Sequence, residues 1–254
     1  FFKITVKGLR GGHSGMEINE GRGNANKAMV RVLVPALRDL KCRLASISGG
    51  NLRNAIPREC VAVVAVPRES ADTLKDLVAS TFADIKNEIG SVDAAVEMFL
   101  ESHNAVSVMS GGVALRMAKA VLGCPNGVVR MSADVPGLVE TSTNLAMVRS
   151  NGRTVDVECL LRSSVNSAKE ALGDRMVAVA ELADCGIELT GAYPGWNPNM
   201  QSPIMNTCMK VYKEKFGNDP KVMAIHAGLE CGLFGVCYPD WDMVSFGPTI
   251  EHPH

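Results

Sequence analysis

Several features that the sequence lacks narrow its function. Among its 254 residues, 26 basic and 27 acidic ones leave a formal net charge of −1, and no basic stretch is interleaved with aromatic residues. This balance gives no general attraction to nucleic acid or to an acidic membrane surface. No apolar run is long enough to span a bilayer, and no basic start followed by an apolar centre marks a signal peptide. We therefore expect a cytoplasmic protein with neither nucleic acid nor membrane as a partner.

Metal and redox motifs are also missing. The eight cysteines are scattered and none forms a C-x-x-C pair, so neither a structural zinc site nor a redox dithiol is predicted, and buried free thiols are the simple interpretation. No H-x-x-x-H helix or acidic cluster is present either. His252 and His254 could ligate a metal from a proline-rich loop, but zinc takes three or four ligands. The sequence alone therefore predicts no complete metal site.

What the chain does contain is a long alternation of strand and helix patterns. Its hydrophobic content of 46% is enough for a real core. Alternating or continuous apolar residues predict strands, and apolar residues at helical spacing predict helices. The predicted strands are 1–7, 43–48, 60–66, 97–100, 141–149, 153–162 and 187–190. The predicted helices are 24–40, 70–89, 110–122 and one that starts with a capping box of Ser167 and Glu170.

The residue composition changes near residue 192. The stretch 192–203 is rich in Pro, Gly and Asn and is typical of a connector. Ser202 and Pro203 then suit the N-cap and first position of a helix that ends before Gly217. Short apolar strands are predicted at 221–225 and 243–246. We interpret residues 1–195 as one α+β domain with a mainly antiparallel sheet covered by helices, and 196–254 as a partial α/β segment.

The first candidate for chemistry is His13. A strand delivers it to the loop Gly8 to Gly15, where four glycines let the backbone turn sharply and approach a ligand. A histidine in that position can donate a hydrogen bond to an oxygen that gains charge in a transition state. An incidental surface histidine in a glycine-rich hairpin is the alternative.

Three further positions could bind a substrate. Arg162, at the end of a strand, could grip a carboxylate with both ends of its guanidinium, or simply pair with Glu158 or another acid. Asn54 could bind a carbonyl group or make an Asx-turn. The run from His226 to Gly232 follows a predicted buried strand, where α/β folds place ligand loops. In that run Gly228 could offer its backbone N–H, and Glu230 could orient a ligand or a metal-bound group.

The ends of the chain give one more expectation. Phe1 lies inside a predicted strand, and His254 follows Gly-Pro-Thr-Ile-Glu-His-Pro with no closing element. We therefore interpret the chain as a fragment of a longer protein.

Six blocks of the sequence resemble the aminoacylhistidine dipeptidases, also called Xaa-His dipeptidases, a branch of the carnosinase-like two-zinc metallopeptidases. They are Lys-Gly-Leu-Arg-Gly-Gly-His-Ser-Gly from Lys7, Gly-Arg-Gly-Asn-Ala-Asn-Lys from Gly21, Leu-Arg-Asn-Ala-Ile-Pro-Arg-Glu from Leu52, Gly-Ala-Tyr-Pro-Gly-Trp from Gly191, Ile-His-Ala-Gly-Leu-Glu-Cys-Gly-Leu-Phe from Ile225 and Asp-Met-Val-Ser-Phe-Gly-Pro-Thr-Ile from Asp242. They occur in family order along the whole chain.

The resemblance implies a fold and a set of roles. Residues 1–195 would be most of a lid domain that also forms a homodimer, and 196–254 a partial C-terminal segment of the zinc catalytic domain. His13 would stabilise the oxyanion, Asn54 and Arg162 would hold a dipeptide, and Gly228 would line the pocket. His254 would be the one zinc ligand present here, with His252 as a competitor because Glu-His-Pro-His departs from the family pattern. The other zinc ligands and the general base would lie before Phe1, so two zinc ions would bind only the full-length enzyme.

Two alternatives stay open. The chain could be a non-catalytic dimerisation or binding module, or it could belong to a related amidohydrolase that acts on N-acyl amino acids. The gene upstream of Phe1 would separate the first alternative from an enzyme.

Overall fold

A computed structural model describes residues 1–105, 107–152, 154–192, 194–196, 199–223 and 229–247. The strands are β1 (Phe2–Lys7), β2 (Gly12–His13), β3 (Arg43–Gly49), β4 (Ala55–Ile56), β5 (Cys60–Ala65), β6 (Glu97–Ser102), β7 (Gly127–Met131), β8 (Val139–Ser150) and β9 (Val155–Ser163). The helices are α1 (Ala25–Asp39), α2 (Ala71–Ile89), α3 (Gly111–Gly123), α4 (Asn166–Leu182), α5 (Pro203–Phe216) and α6 (Leu229–Cys237).

One seven-stranded sheet organises the first two thirds of the chain. Its strands run in the order β6-β1-β5-β3-β8, and every pairing between the described strands is antiparallel. Strands β3 and β7 pair with opposite ends of β8 along one side, while β9 follows the other side. The α+β prediction with a mainly antiparallel sheet is thus confirmed.

The core lies between this sheet and helices α1, α2 and α3. In β1 the apolar residues Ile4 and Val6 are fully buried, as their alternation with polar residues predicts. Helix α1 begins after Asn24, whose side chain accepts hydrogen bonds from the backbone N–H groups of Asn26 and Lys27 and caps the helix. The predicted helix over 24–40 thus agrees with α1 to within one residue at each end. Helix α5 likewise begins at Ser202, whose hydroxyl accepts from Met205 N, and ends at Gly217 in the left-handed conformation.

Some predicted elements are wrong. Helix α4 begins at Asn166 after Val165, which makes no side-chain cap, so Ser167 lies inside the helix and does not form a capping box with Glu170. Residues 187–190 are not a strand. The side chain of Leu189 approaches Gly173, so this segment turns back over α4 and does not join the sheet.

The predicted α/β character of residues 196–254 is not seen where the structure describes them. Residues 221–223 and 243–246 are extended without strand pairing, while residues 224 and 225 of the first predicted strand lie outside the described part. The two short apolar runs look like buried strands by composition alone, yet the described chain offers them no neighbouring strand. Helix α6 and strand β7 are present although the sequence patterns did not predict them.

Candidate active site

A folded loop between β1 and α1 carries His13. Strand β2 pairs with β4, so that His13 lies opposite Ala55. The backbone N–H of His13 donates to Glu17 Oε2 at 2.6 Å, and the N–H of Glu17 donates back to the carbonyl of His13 at 2.9 Å. These two hydrogen bonds fix the backbone on both sides of the histidine.

A buried arginine closes the same loop. The guanidinium of Arg22 donates to Glu17 Oε1 at 2.6 Å and to the carbonyl of Gly11, and its side chain is 8% exposed. Gly12 has φ of 134°, and a Cβ there would overlap the Arg22 guanidinium. A glycine is therefore required at this point for both conformation and space.

The charge of Glu17 stabilises this arrangement. Burial alone would raise the pKa of its carboxyl group, but the hydrogen bond from His13 N–H, the hydrogen bond from Arg22 and the positive charge of Arg22 outweigh burial and lower the pKa. The carboxylate therefore stays ionised and continues to accept both hydrogen bonds at neutral pH.

Hydrogen bonds also assign the proton on the His13 ring. Its Nδ1 accepts from the backbone N–H groups of Gly15 and Met16, both at 3.2 Å. An acceptor nitrogen carries no proton, so the neutral ring bears its hydrogen on Nε2. Nε2–H is the donor that an oxyanion would need.

Arg162 comes to the same place from the end of β9. A Cβ built on Gly15 would lie 3.0 Å from His13 Cε1 and 3.3 Å from Arg162 Cζ. The imidazole and the guanidinium therefore border one point above Gly15. Glu158 is the exposed acid that could have been the partner of Arg162. It lies four residues earlier in β9, whereas Arg162 lies at the end of the strand that is near His13.

Asn54 is the third predicted residue at this place. The N–H of Ser14 donates to the carbonyl of Asn54 at 2.8 Å, which extends the β2–β4 ribbon by one residue. Asn54 is half-buried. The structure thus brings His13, Asn54 and Arg162 together from three separate parts of the sequence.

Strand β8 supports both Asn54 and Arg162. Asn144, which is 1% exposed, donates from Nδ2 to the carbonyls of Arg53 at 3.2 Å and Ala55 at 2.8 Å, one on each side of Asn54. Ser142 pairs with Arg162 in the β8–β9 ladder. Since side chains two apart on a strand share a face, Asn144 lies on the same face as Ser142 and Arg162.

A second cluster lies just beyond the end of β9. The N–H of Gly195 donates to Asn166 Oδ1 at 2.8 Å, and a Cβ on Gly195 would overlap the carbonyl of Ser164. A Cβ on Gly232 would lie 2.8 Å from the carbonyl of Pro194. The connector therefore packs on β9 and α6 packs on the connector, around a cavity of about 310 Å³ that Ser164, Trp196 and Cys231 help to line.

Among the other predicted site residues, the structure describes Glu230. Glu230 lies exposed in the first turn of α6. Gly228, His252 and His254 lie outside the described residues. Within the described ranges, no group of three or more His, Cys, Asp or Glu side chains could hold a metal ion.

Three residues of the site were missed by the sequence patterns. Arg22 stands in one of the resembling blocks, and Glu17 follows the glycine-rich loop, but only the fold shows that they clamp the backbone at His13. Asn144 had a visible signal, because residues 140–144 are polar and yet lie on a strand with apolar neighbours. A buried run of polar residues in a strand indicates that those side chains make hydrogen bonds.

Comparison with known proteins gives the class first. Residues 4–93 match the model of the peptidase dimerisation domain. The matched stretch runs from β1 through α2 and includes His13 and Asn54. This part of the chain is therefore similar to such a domain.

Two particular relatives extend the match to the whole chain. It is 43% identical over 257 residues to the cytosol non-specific dipeptidase of Escherichia coli (strain K12), an alignment that covers 100% of this chain and 52% of that protein. The crystal structure of aminoacylhistidine dipeptidase from Vibrio alginolyticus matches with a TM-score of 0.91 and 44% identity, over 99% of this chain and 52% of that one. The resemblance to aminoacylhistidine dipeptidases is confirmed, and the chain spans about half the length of these relatives.

Among the described residues, none of the helices combines the length and the apolar character that crossing a bilayer requires.

Proposed function

We propose that this chain is the lid-bearing part of a metal-dependent dipeptidase that hydrolyses Xaa-His and related dipeptides. Residues 1–195 would form the lid and dimerisation domain, and residues 196–254 would belong to the catalytic domain. The observation that carries the proposal is the meeting of His13 and Arg162 above Gly15. The similarity to two dipeptidases over the whole chain supports it.

His13 is assigned the oxyanion role. With Nδ1 held by two backbone N–H groups, the neutral ring carries its hydrogen on Nε2 and would donate it to the oxygen of the substrate. Peptide hydrolysis passes through a tetrahedral intermediate whose oxygen is negative, and one well-placed donor is worth roughly a hundredfold or more in rate. The clamp of Glu17 and Arg22 on the His13 backbone would keep that donor in place without cost at the moment of reaction.

Arg162 and Asn54 are assigned to substrate binding. A guanidinium can hold the terminal carboxylate of a dipeptide through two parallel hydrogen bonds. Asn54, held between two carbonyls that Asn144 binds, would contact the peptide group between His13 and Arg162. Gly228 and Glu230 are proposed to line the same pocket from the α6 side.

The metal belongs to the proposal in a limited way. Two zinc ions are proposed for the full-length enzyme, with His254 as a ligand by its position in the family pattern. The described residues do not supply a complete set of ligands, so His13, Asn54 and Arg162 are assigned roles toward the substrate only. A homodimer formed through the lid and a cytoplasmic location are proposed from the dimerisation-domain match and from the cytosolic relative.

The test of His13 uses the complete gene product and its dipeptidase activity. His13→Ala should lower kcat by roughly a hundredfold or more and leave the content of bound metal unchanged. His103→Ala, which changes an exposed histidine, is the matched control and should keep kcat. An unchanged kcat in His13→Ala would reject the role.

Arg162 is tested in the same preparation. Arg162→Lys should raise KM for dipeptides because a lysine cannot form the two-pronged contact, and Arg175→Lys on the exposed face of α4 should not. A panel of dipeptides and N-acyl amino acids then separates the proposed peptidase from an amidohydrolase. No hydrolysis of either class would favour the dimerisation module.

A further inference from the structure

A pair of thiols outside the candidate active site has a geometry that the sequence did not suggest. Cys124 ends helix α3 and Cys159 lies in β9, 35 positions later. Both are free and half-buried. Their side chains meet in a hydrogen bond between the two sulfur atoms.

A separate set of contacts places the two cysteines side by side. Asn126, two residues after Cys124, accepts from the backbone N–H of Leu145 at 2.9 Å and from Asn24 Nδ2 at 3.0 Å. Leu145 is the direct partner of Cys159 in the β8–β9 ladder. The end of α3 is therefore tied to β8 at the very position opposite Cys159, and the contact between the thiols follows from backbone pairing.

A half-buried cation completes the group. Lys27 Nζ donates to the carbonyls of Val121 and Leu122, both at 2.8 Å, and to that of Cys124. Three acceptors hold the ammonium at the carboxyl end of α3, where its positive charge acts on the Cys124 thiol. A positive charge and a thiol donor next to a cysteine favour its thiolate.

These surroundings separate the two thiols chemically. The hydrogen bond from Cys159 lowers the pKa of Cys124 to about 7, with burial opposing and the charge of Lys27 assisting. The hydrogen bond to Cys124 and burial raise the pKa of Cys159. Cys124 is thus the nucleophile, and Cys159 is the neutral donor that waits beside it.

We propose that Cys124 and Cys159 form an oxidisable dithiol site, in which a peroxide converts the pair to an intramolecular disulfide between α3 and β9. The Cys124 thiolate attacks one peroxide oxygen, which forms an S–O bond and breaks the O–O bond, and the released hydroxide takes a proton to become water. The sulfenic acid removes the hydrogen bond that held the proton on Cys159. Cys159 then loses its proton and attacks the Cys124 sulfur, the S–S bond forms, and the second water leaves.

The experiment maps the thiols of the complete gene product after treatment with hydrogen peroxide. Non-reducing peptide mass spectrometry should show a linked Cys124–Cys159 peptide that has lost two hydrogen atoms and that a reductant restores. Before oxidation, iodoacetamide at pH 7 should label Cys124 faster than the exposed Cys185, because the lowered pKa of Cys124 favours its thiolate. Cys185→Ser is the control and should leave the link intact.

A second variant tests the order of the steps. Cys159→Ser should trap Cys124 as a sulfenic acid that dimedone labels, whereas Cys124→Ser should leave Cys159 unmodified. The proposal is overturned if peroxide oxidises Cys185 while Cys124 and Cys159 stay reduced in the unmutated protein. That comparison needs no variant to fold, and it does not depend on the proposed peptidase activity.

Discussion

Apolar side chains are mostly buried in residues 4–148 and mostly exposed in the described part of residues 199–247. In the first region, large side chains such as Leu33, Leu44 and Leu145 are fully buried between sheet and helices. In the second region, α5 buries none of its residues, and Phe216, Leu233 and Phe246 are more than half exposed. Exposed apolar surface of this extent marks a face that another part of a protein covers.

This difference in burial indicates which region holds the site residues in place. His13, Asn54 and Arg162 stand on loops and strands tied to the self-sufficient first region. Among the described residues, the second region meets the first where Gly232 packs on Pro194 and Gly195 packs on Ser164. We therefore expect the first region to hold its geometry unaided and the second to depend on what covers it, in line with the short span of this chain along its relatives.

The largest contrast is expected from one leucine in each region. Leu33→Ala removes a fully buried side chain from α1 and should lower the free energy of unfolding by about 2–5 kcal/mol. Leu233→Ala changes a side chain that is 52% exposed and should cost less than about 0.5 kcal/mol. Denaturant titration of both variants measures the difference. Equal costs would show that α6 is covered as fully as α1.

The joint between the regions is the next most sensitive point. Gly195→Ala places a Cβ against the carbonyl of Ser164 and should cost about 1–3 kcal/mol, while it raises hydrogen exchange in residues 194–196 and in α6. Gly186→Ala meets nothing within 4 Å and should change stability by less than about 0.5 kcal/mol. If the two glycines tolerate alanine equally, the packing at Ser164 does not join the regions.

Removing the support under Asn54 should have a smaller effect on stability and a clear one on substrate binding. Asn144→Ala leaves the carbonyls of Arg53 and Ala55 without their buried donor and should cost about 1–2 kcal/mol. In the complete gene product KM should rise as Asn54 loses its position. The control is Asn104→Ala, on an exposed loop. A variant with both wild-type stability and wild-type KM would contradict the supporting role.

The smallest expected effect is a change in pH dependence at the His13 loop. The pKa of Glu17 is lowered from 4.5 in the folded protein, so its ionised form adds stability above pH 4.5, and this contribution is lost as the pH falls through the folded pKa. Urea titrations between pH 7 and pH 3 should therefore show a flatter profile for Glu17→Gln than for the unmutated protein below pH 4.5. A Glu17→Gln profile that keeps the full slope would remove Glu17 from the clamp.

Local signals in the sequence predicted the main elements because local interactions decide them. The alternation in β1, the apolar helical face of α1 and the Ser202 cap of α5 are each visible in short stretches of sequence. The prediction of a capping box at Ser167 was wrong because the helix starts one residue earlier, at Asn166, which is compatible with the β9–α4 turn. The supposed strand at 187–190 failed because strand formation needs a free sheet edge, which residue composition does not reveal.

The residues of the candidate site could be named from the sequence, but their arrangement could not. Local context and the family resemblance both pointed to His13, Asn54 and Arg162, but their proximity depends on the β2–β4 ribbon and on the β8–β9 register, which are contacts between distant segments. The same holds for Cys124 and Cys159, whose spacing predicts no dithiol although the fold makes them neighbours. Long-range pairing of this kind leaves no short-range trace in a single sequence.

The two faces of strand β8 have different surroundings. Ser142 and Asn144 lie on the same face as Arg162, while Leu145 lies in the apolar interior opposite Cys159. Only the thickness of one backbone separates the two faces, because side chains alternate along a strand. Substitutions at Ser142 and Asn144 can therefore change the surroundings of Arg162 without altering the apolar packing of Leu145.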